Sequence, residues 1–165
     1  MLKENTKKDS IYFRIAKINE ISLIEHILQE AYQPIVKTLS RLPGALIETK
    51  RKLIDDFNNN SLYSIIQKNN NVIGTFSLRK ININNMKLYH FAILPSFQHQ
   101  GFGKIILNQI KHEIKYKHHD INILIVEVYQ KTPELRRFYE KDGFFIFDEK
   151  TIEQEKILIF HHCIL

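Results

Sequence analysis

Residues 121–129 read INILIVEVY. The run is apolar at almost every position, with one carboxylate, Glu127, inside it. A strand that is apolar throughout is covered on both faces, so it belongs at the centre of a sheet. Upstream, KLYHFAIL (87–94) ends at Pro95 and reads as another strand. A glycine-containing loop follows it, then a helical stripe of Leu107, Ile110 and Ile114. Strand, helix and strand in that order form a βαβ unit, whose two strands lie parallel.

The rest of the chain is built around this unit. IYFRIAK (11–17) alternates and reads as a strand, and ISLIEHILQEAY (21–32) carries Ile24, Ile27, Leu28 and Ala31 at helical spacing, with a stop before Pro34. A second helix is expected at about 44–57, with Leu46, Leu53, Ile54 and Phe57. SLYSIIQ (61–67) and VIGTFSLRK (72–80) read as strands joined by an asparagine hairpin turn. TPELRRFYEK (132–141) is a helix that stops at Gly143, and FFIFDE (144–149) and KILIFHHCIL (156–165) finish as a strand pair. The order predicts an α/β fold, one mixed sheet with helices on its faces.

Length and composition set bounds. The 165 residues suggest one domain with a single core, spanning 1–165. There is one cysteine, Cys163, so no intrachain disulfide forms, which fits a reducing compartment. The N-terminal MLKENTKKDS lacks the apolar region of a secretory signal, and no run of about 18 apolar residues is available to span a bilayer. A cytoplasmic address with no membrane partner is expected. The formal charge is +6, but the lysines are scattered and not interleaved with aromatics on one face. That pattern favours a solvated basic surface over a nucleic-acid partner.

The loop SFQHQGFGKIIL (96–107) carries the main chemical signal. Gly101 and Gly103 lie where a strand ends and a helix begins. The first turn of a helix has N–H groups without internal partners and a partial positive charge. Glycine lets an anion approach the backbone. The amides of Phe102 and Lys104, with the Lys104 charge nearby, could cradle a diphosphate. The spacing matches neither a dinucleotide fingerprint nor a P-loop.

Gln98-x-x-Gly101-x-Gly103 after a strand ending in AILP, followed later by RFYEKDGF (137–144), resembles the GNAT superfamily of N-acetyltransferases. Its acetyl-CoA loop reads [QR]-x-x-G-x-[GA], and its later helix ends in a tyrosine followed by a short run to G-F, here Tyr139 and Gly143-Phe144. The resemblance spans nearly the whole chain and is sharpest over 88–145. It implies a sheet of about seven strands with about four helices. It also implies acetyl-CoA as cosubstrate, with no metal. The acetyl group would pass to a primary amine by direct attack through a tetrahedral intermediate. The acceptor class is a small amine, a polyamine or a protein N-terminus, and the resemblance allows a homodimer through the last strands.

Residue by residue, the resemblance puts the pyrophosphate on Gln98, His99, Gln100, Gly101, Phe102, Gly103 and Lys104. The pantetheine arm would lie along the backbone from Phe91 to Ile93, in a splay between the strands at 87–94 and 121–129. Thr132, ahead of Pro133, stands where many members carry a cofactor-binding asparagine and is expected to cap the helix. Tyr139 is the expected acid for the departing thiolate, since a phenol stays protonated at working pH. The base is Glu127 or, on the neighbouring strand, His90. Phe91 and Ile93 share the parity of Tyr89, so simple alternation puts Tyr89, not His90, on the cofactor side.

Other constellations are weaker. His112-Glu113 lacks the second histidine of a zinc-protease helix, since position 116 is tyrosine, and no cysteine pair supports zinc. No serine sits in a nucleophile elbow. Cys163 is expected as a small core residue. Two functions stay open: a catalytic N-acetyltransferase, or a non-catalytic acyl-CoA-binding regulatory module of the same fold.

Overall fold

The computed structural model describes residues 10–47, 50–59 and 61–164. Seven strands form one mixed sheet: β1 (Ile11–Ile15), β2 (Leu62–Lys68), β3 (Asn71–Lys80), β4 (Asn85–Ile93), β5 (Ile123–Tyr129), β6 (Phe145–Ile152) and β7 (Glu155–Cys163). Their spatial order is β1-β2-β3-β4-β5-β7-β6, so β5 is an interior strand, as its apolar run requires. Only β4 and β5 among these neighbours run parallel. Asn69 and Asn70, both at positive φ, make the tight turn between β2 and β3.

The helices are α1 (Ile21–Tyr32), α2 (Gly44–Ile47), α3 (Lys50–Asn58), α4 (Phe102–Lys117) and α5 (Pro133–Glu140). The helix expected at 44–57 is thus two described pieces, with residues 48–49 outside the described range. After α1 the chain tightens into a 3-10 turn at Gln33–Thr38, where Pro34 denies a helical hydrogen bond.

Each sheet face has its own core. On one, α4 buries Phe102, Ile106, Leu107, Ile110 and Ile114 against Met86, Leu88, Leu124, Val126 and Phe160. On the other, Ile21, Ile24, Ile27 and Leu28 of α1 and Leu53 of α3 cover Tyr63, Ile65 and Ala92. Truncating a fully buried stripe residue such as Ile110 to alanine would cost about 2–5 kcal/mol.

Two irregularities of β4 shape the cleft. First, β4 and β5 pair only from Asn85–Ile123 to Lys87–Ile125. Beyond Lys87 the strands part: β4 runs on to Ile93, and β5 runs on to Tyr129 with only β7 beside it. Second, Ser77 pairs with Tyr89 but Thr75 pairs with Ala92, so β4 has one residue more than β3 in this stretch. His90 takes the strain, at φ 52. The bulge inverts the alternation. Met86 and Leu88 face the α4 core before it, and Phe91 and Ile93 face that core after it. The expectation that Tyr89 shares a face with Phe91 and Ile93 is therefore overturned, because parity counts assume an unbulged strand.

Candidate active site

The glycine loop ends in the N-terminus of α4. Gly101 is the residue before the helix, at φ 82, a left-handed conformation that suits glycine. His99, also at positive φ, precedes it and is exposed. Ile105 N–H reaches Gly101 O at 3.3 Å, so the amides of Phe102, Gly103 and Lys104 come before the first helical bond. Two glutamines staple the loop: Gln98 Nε2 donates to Ile93 O at 2.7 Å, and Gln100 Nε2 donates to Ser96 O at 3.0 Å. Phe102 is buried beneath the loop, with Lys68 Nζ 5.0 Å from its ring centre. Lys104 is exposed at the helix start.

The splay supplies a free strand edge. Leu94 N–H bonds Ile73 O on β3. Strand alternation then turns the N–H and C=O of Ile93, and of Phe91 two residues back, toward the gap left by β5. The Ile93 carbonyl is the one held by Gln98. The Phe91 ring packs edge-on against Phe76 and tilted against Phe138.

Tyr139 stands on α5, packed against Phe138, Phe144 and Phe160. It is buried, and its hydroxyl makes no hydrogen bond among the described residues. Burial pushes its pKa well above the ordinary phenol value, and the nearby Tyr32 phenol pushes it further. Tyr32 ends α1 on the opposite face of the sheet. Sequence reasoning assigned Tyr32 no role, and only the fold brings its phenol within electrostatic reach of Tyr139.

Glu127 faces the α1 side of β5. Lys87 Nζ of β4 and Lys150 Nζ of β6 both bind its Oε1, at 2.5 and 2.7 Å. Oε2 takes no hydrogen bond among the described residues. Burial drives the carboxyl pKa up, but the bonds from Lys150 and Lys87 outweigh it and hold it below the ordinary carboxylate value. Lys87 Nζ also sits 4.4 Å from the Tyr89 ring centre, with Arg79 on that ring at 5.1 Å. His90 is tied into the α1-side core, its Nδ1 3.2 Å from the Tyr63 hydroxyl.

The structure corrects two expectations. Thr132 is buried ahead of α5 but makes no side-chain cap; its hydroxyl donates to Tyr129 O at 2.7 Å. Its backbone, with ψ at 72, turns the side chain back to the strand end. Cys163 is exposed rather than in the core, because β7 reaches the end of its pairing there.

A clasp missed by sequence reading closes the α1 side. Ser40 N–H and Lys131 Nζ both bind the buried carboxylate of Glu155, and Lys131 also holds Ser40 Oγ at 2.7 Å. Arg41 approaches Glu153 at 3.5 Å, and Gly44 N–H reaches the Tyr129 hydroxyl at 3.3 Å. Glu153 and Gln154, both at positive φ, form the β6–β7 turn that presents Glu155. Among the described residues, no three His, Cys, Asp or Glu side chains converge as a metal ion requires.

Comparison with known proteins bears on this geometry. The family model described as an acetyltransferase (GNAT) domain matches residues 44–162. The chain is 35% identical over 77 residues to the ribosomal protein bS18-alanine N-acetyltransferase of Haemophilus influenzae. That match covers 47% of this chain and 50% of the relative, so the chain spans about half the length of the curated relative it matches. The fold superposes on the crystal structure of the ribosomal-protein-S18-alanine N-acetyltransferase of Escherichia coli with a TM-score of 0.75 at 16% identity, covering 94% of each chain. It superposes on the PaiA N-acetyltransferase of Thermoplasma acidophilum, solved in complex with coenzyme A, with a TM-score of 0.73 at 21% identity, covering 91% of this chain and 98% of that one. With its seven-stranded sheet parting between β4 and β5, and a family match over most of its length, the chain belongs to the GNAT acetyltransferase family.

Proposed function

We propose that this chain transfers the acetyl group of acetyl-CoA to a primary amine. One observation carries the reading. The β4–β5 ladder ends at Lys87–Ile125, which opens the Phe91–Ile93 edge beside a buried phenol. The residues present fit coenzyme A part by part. The free amides at the start of α4 and the Lys104 charge suit a diphosphate. The unpaired β4 edge suits the amides of a pantetheine arm.

Bound there, acetyl-CoA supplies an acyl group activated as a thioester. The chain's own groups do the rest. Ile93 N–H, on the open edge, donates to the carbonyl oxygen as negative charge develops on it. Tyr139 donates a hydrogen bond to the departing sulfur as the C–S bond breaks, and burial keeps its phenol protonated for that role. Glu127 takes the proton of the attacking amine through Oε2, directly or through one water, while Oε1 stays with the lysines. Thr132 fixes the Tyr129–α5 corner that carries Tyr139. The exposed single thiol of Cys163 suits a reducing, cytoplasmic setting.

The test is thiol release from acetyl-CoA against a panel of primary amines. Amine-dependent release is expected. Coenzyme A binding with no release for any amine would overturn catalysis and leave a binding module.

A further inference from the structure

The ion cluster around Glu127 bears on which amine is used. Lys87 and Lys150 set two positive charges against one carboxylate on the cleft side of β5. On the same face, Asp56 is paired with Arg79 at 2.7 Å, and Glu155 with Lys131 at 2.8 Å. Glu153 faces Arg41 at 3.5 Å, and Asp148 lies exposed on the outer strand β6. A polyamine brings two or more ammonium groups and needs a carboxylate for each that stays charged. The charges beside the splay oppose that.

Basicity points the same way. A carboxylate gripped by two ammonium groups is a weak base. An ε-amine or polyamine nitrogen, with a pKa near 10.4, is neutral in only about one molecule in 10³ at pH 7. The α-amine of a peptide N-terminus, with a pKa of about 7.7–8.0, is neutral in roughly one in ten. The α-amine needs far less from the base. It also has a carbonyl oxygen three bonds away, which can accept a hydrogen bond from Lys150, whose side chain is 38% exposed.

We propose that the acceptor is the α-amine at the amino end of a peptide, and that Lys87 and Lys150 select it against polyamines and lysine side chains. This selectivity rests on the acetyl-transfer reading of the same site.

The experiment compares kcat/KM for four acceptors: a short lysine-free peptide with a free N-terminus, an N-blocked peptide with one lysine, free alanine, and spermidine. Mass spectrometry locates the acetylated nitrogen. The peptide with a free N-terminus is expected to lead the lysine peptide and spermidine by about 10²-fold, the ratio of neutral fractions. Free alanine, whose ammonium group is made more basic by its own carboxylate, is expected to trail the peptide, and alanine ahead of the peptide would overturn the basicity argument. Lys150→Met and, as a milder change, Lys150→Gln are expected to raise spermidine turnover and narrow that ratio about tenfold. Preference for spermidine or the lysine peptide by the unmodified protein would overturn the proposal. An unchanged ratio in both Lys150 variants would overturn the assignment to the lysines. Absence of thiol release with every acceptor would instead overturn the acetyl-transfer reading beneath it.

Discussion

Gly74 of β3 and the carbonyl of Ala92 on β4 approach so closely that a Cβ on Gly74 would overlap the oxygen. The contact lies directly beside the His90 bulge, where β4 gains its extra residue. Glycine at position 74 is what lets the bulged strand lie flat against β3. Gly74→Ala is expected to destabilise the protein by about 1–3 kcal/mol. It should also displace the Phe91–Ile93 edge and weaken coenzyme A binding. Thermal unfolding and a calorimetric coenzyme A titration on the same sample check both effects.

The cofactor seat makes a separate prediction. Gly101 has φ 82 and open space around its Cβ position, so an added methyl meets backbone strain and no clash. Gly101→Ala should cost about 1–2 kcal/mol of stability. If the loop relaxes to avoid that cost, the amides of Phe102 and Lys104 turn from the diphosphate, and coenzyme A affinity falls about tenfold. Gly103→Ala meets only the Phe138 ring, at an ordinary 3.5 Å, and should fold normally.

Glu127→Gln keeps the shape of the ion cluster and removes its charge. The variant is expected to lower kcat about 10²-fold with coenzyme A affinity unchanged. Lys150→Met removes one of the bonds that hold the carboxyl pKa down, so that pKa rises. If Glu127 controls the acid limb of the pH–rate profile, that limb moves to higher pH in Lys150→Met.

Acid stability follows from two other carboxylates. The bonds from Lys131 and Ser40 hold Glu155 at about 2, and the hydrogen bond from Arg14 holds Glu20 at about 2. A folded-state pKa below the unfolded value gives stability that is fully present above the unfolded pKa and is lost as pH falls through the folded one. The window is therefore from the ordinary value of 4.5 down to about 2. Urea unfolding midpoints should be flat from neutral pH to about 5 and then drop. Glu155→Gln should flatten the drop and also lower the plateau, because the 33–43 segment loses its anchor.

Much of this was legible in the chain. Helix α1 runs over Ile21–Tyr32 as its apolar spacing predicts, and the βαβ unit follows from one apolar strand and one helical stripe. The glycine loop was readable because local chemistry requires glycine at a left-handed helix entry. What stayed hidden was set by pairing between distant strands. The His90 bulge has no glycine or proline to announce it, and it reverses the facing of every later residue of β4. The grip of Lys87 and Lys150 on Glu127 joins β4, β5 and β6, and β7 lies between the last two in the sheet. Glu155 lies just outside the strand expected at 156–165, and its burial depends on Ser40 and Lys131, which are distant in sequence.

The central claim is that the parted β4 and β5 strands present a thioester to the Tyr139 hydroxyl. Single-turnover acetyl transfer by Tyr139→Phe, with coenzyme A affinity measured on the same sample, tests it most directly. The account predicts unchanged affinity and a rate lowered about 10²–10³-fold. A rate equal to that of the unmodified protein, at equal affinity, would contradict it.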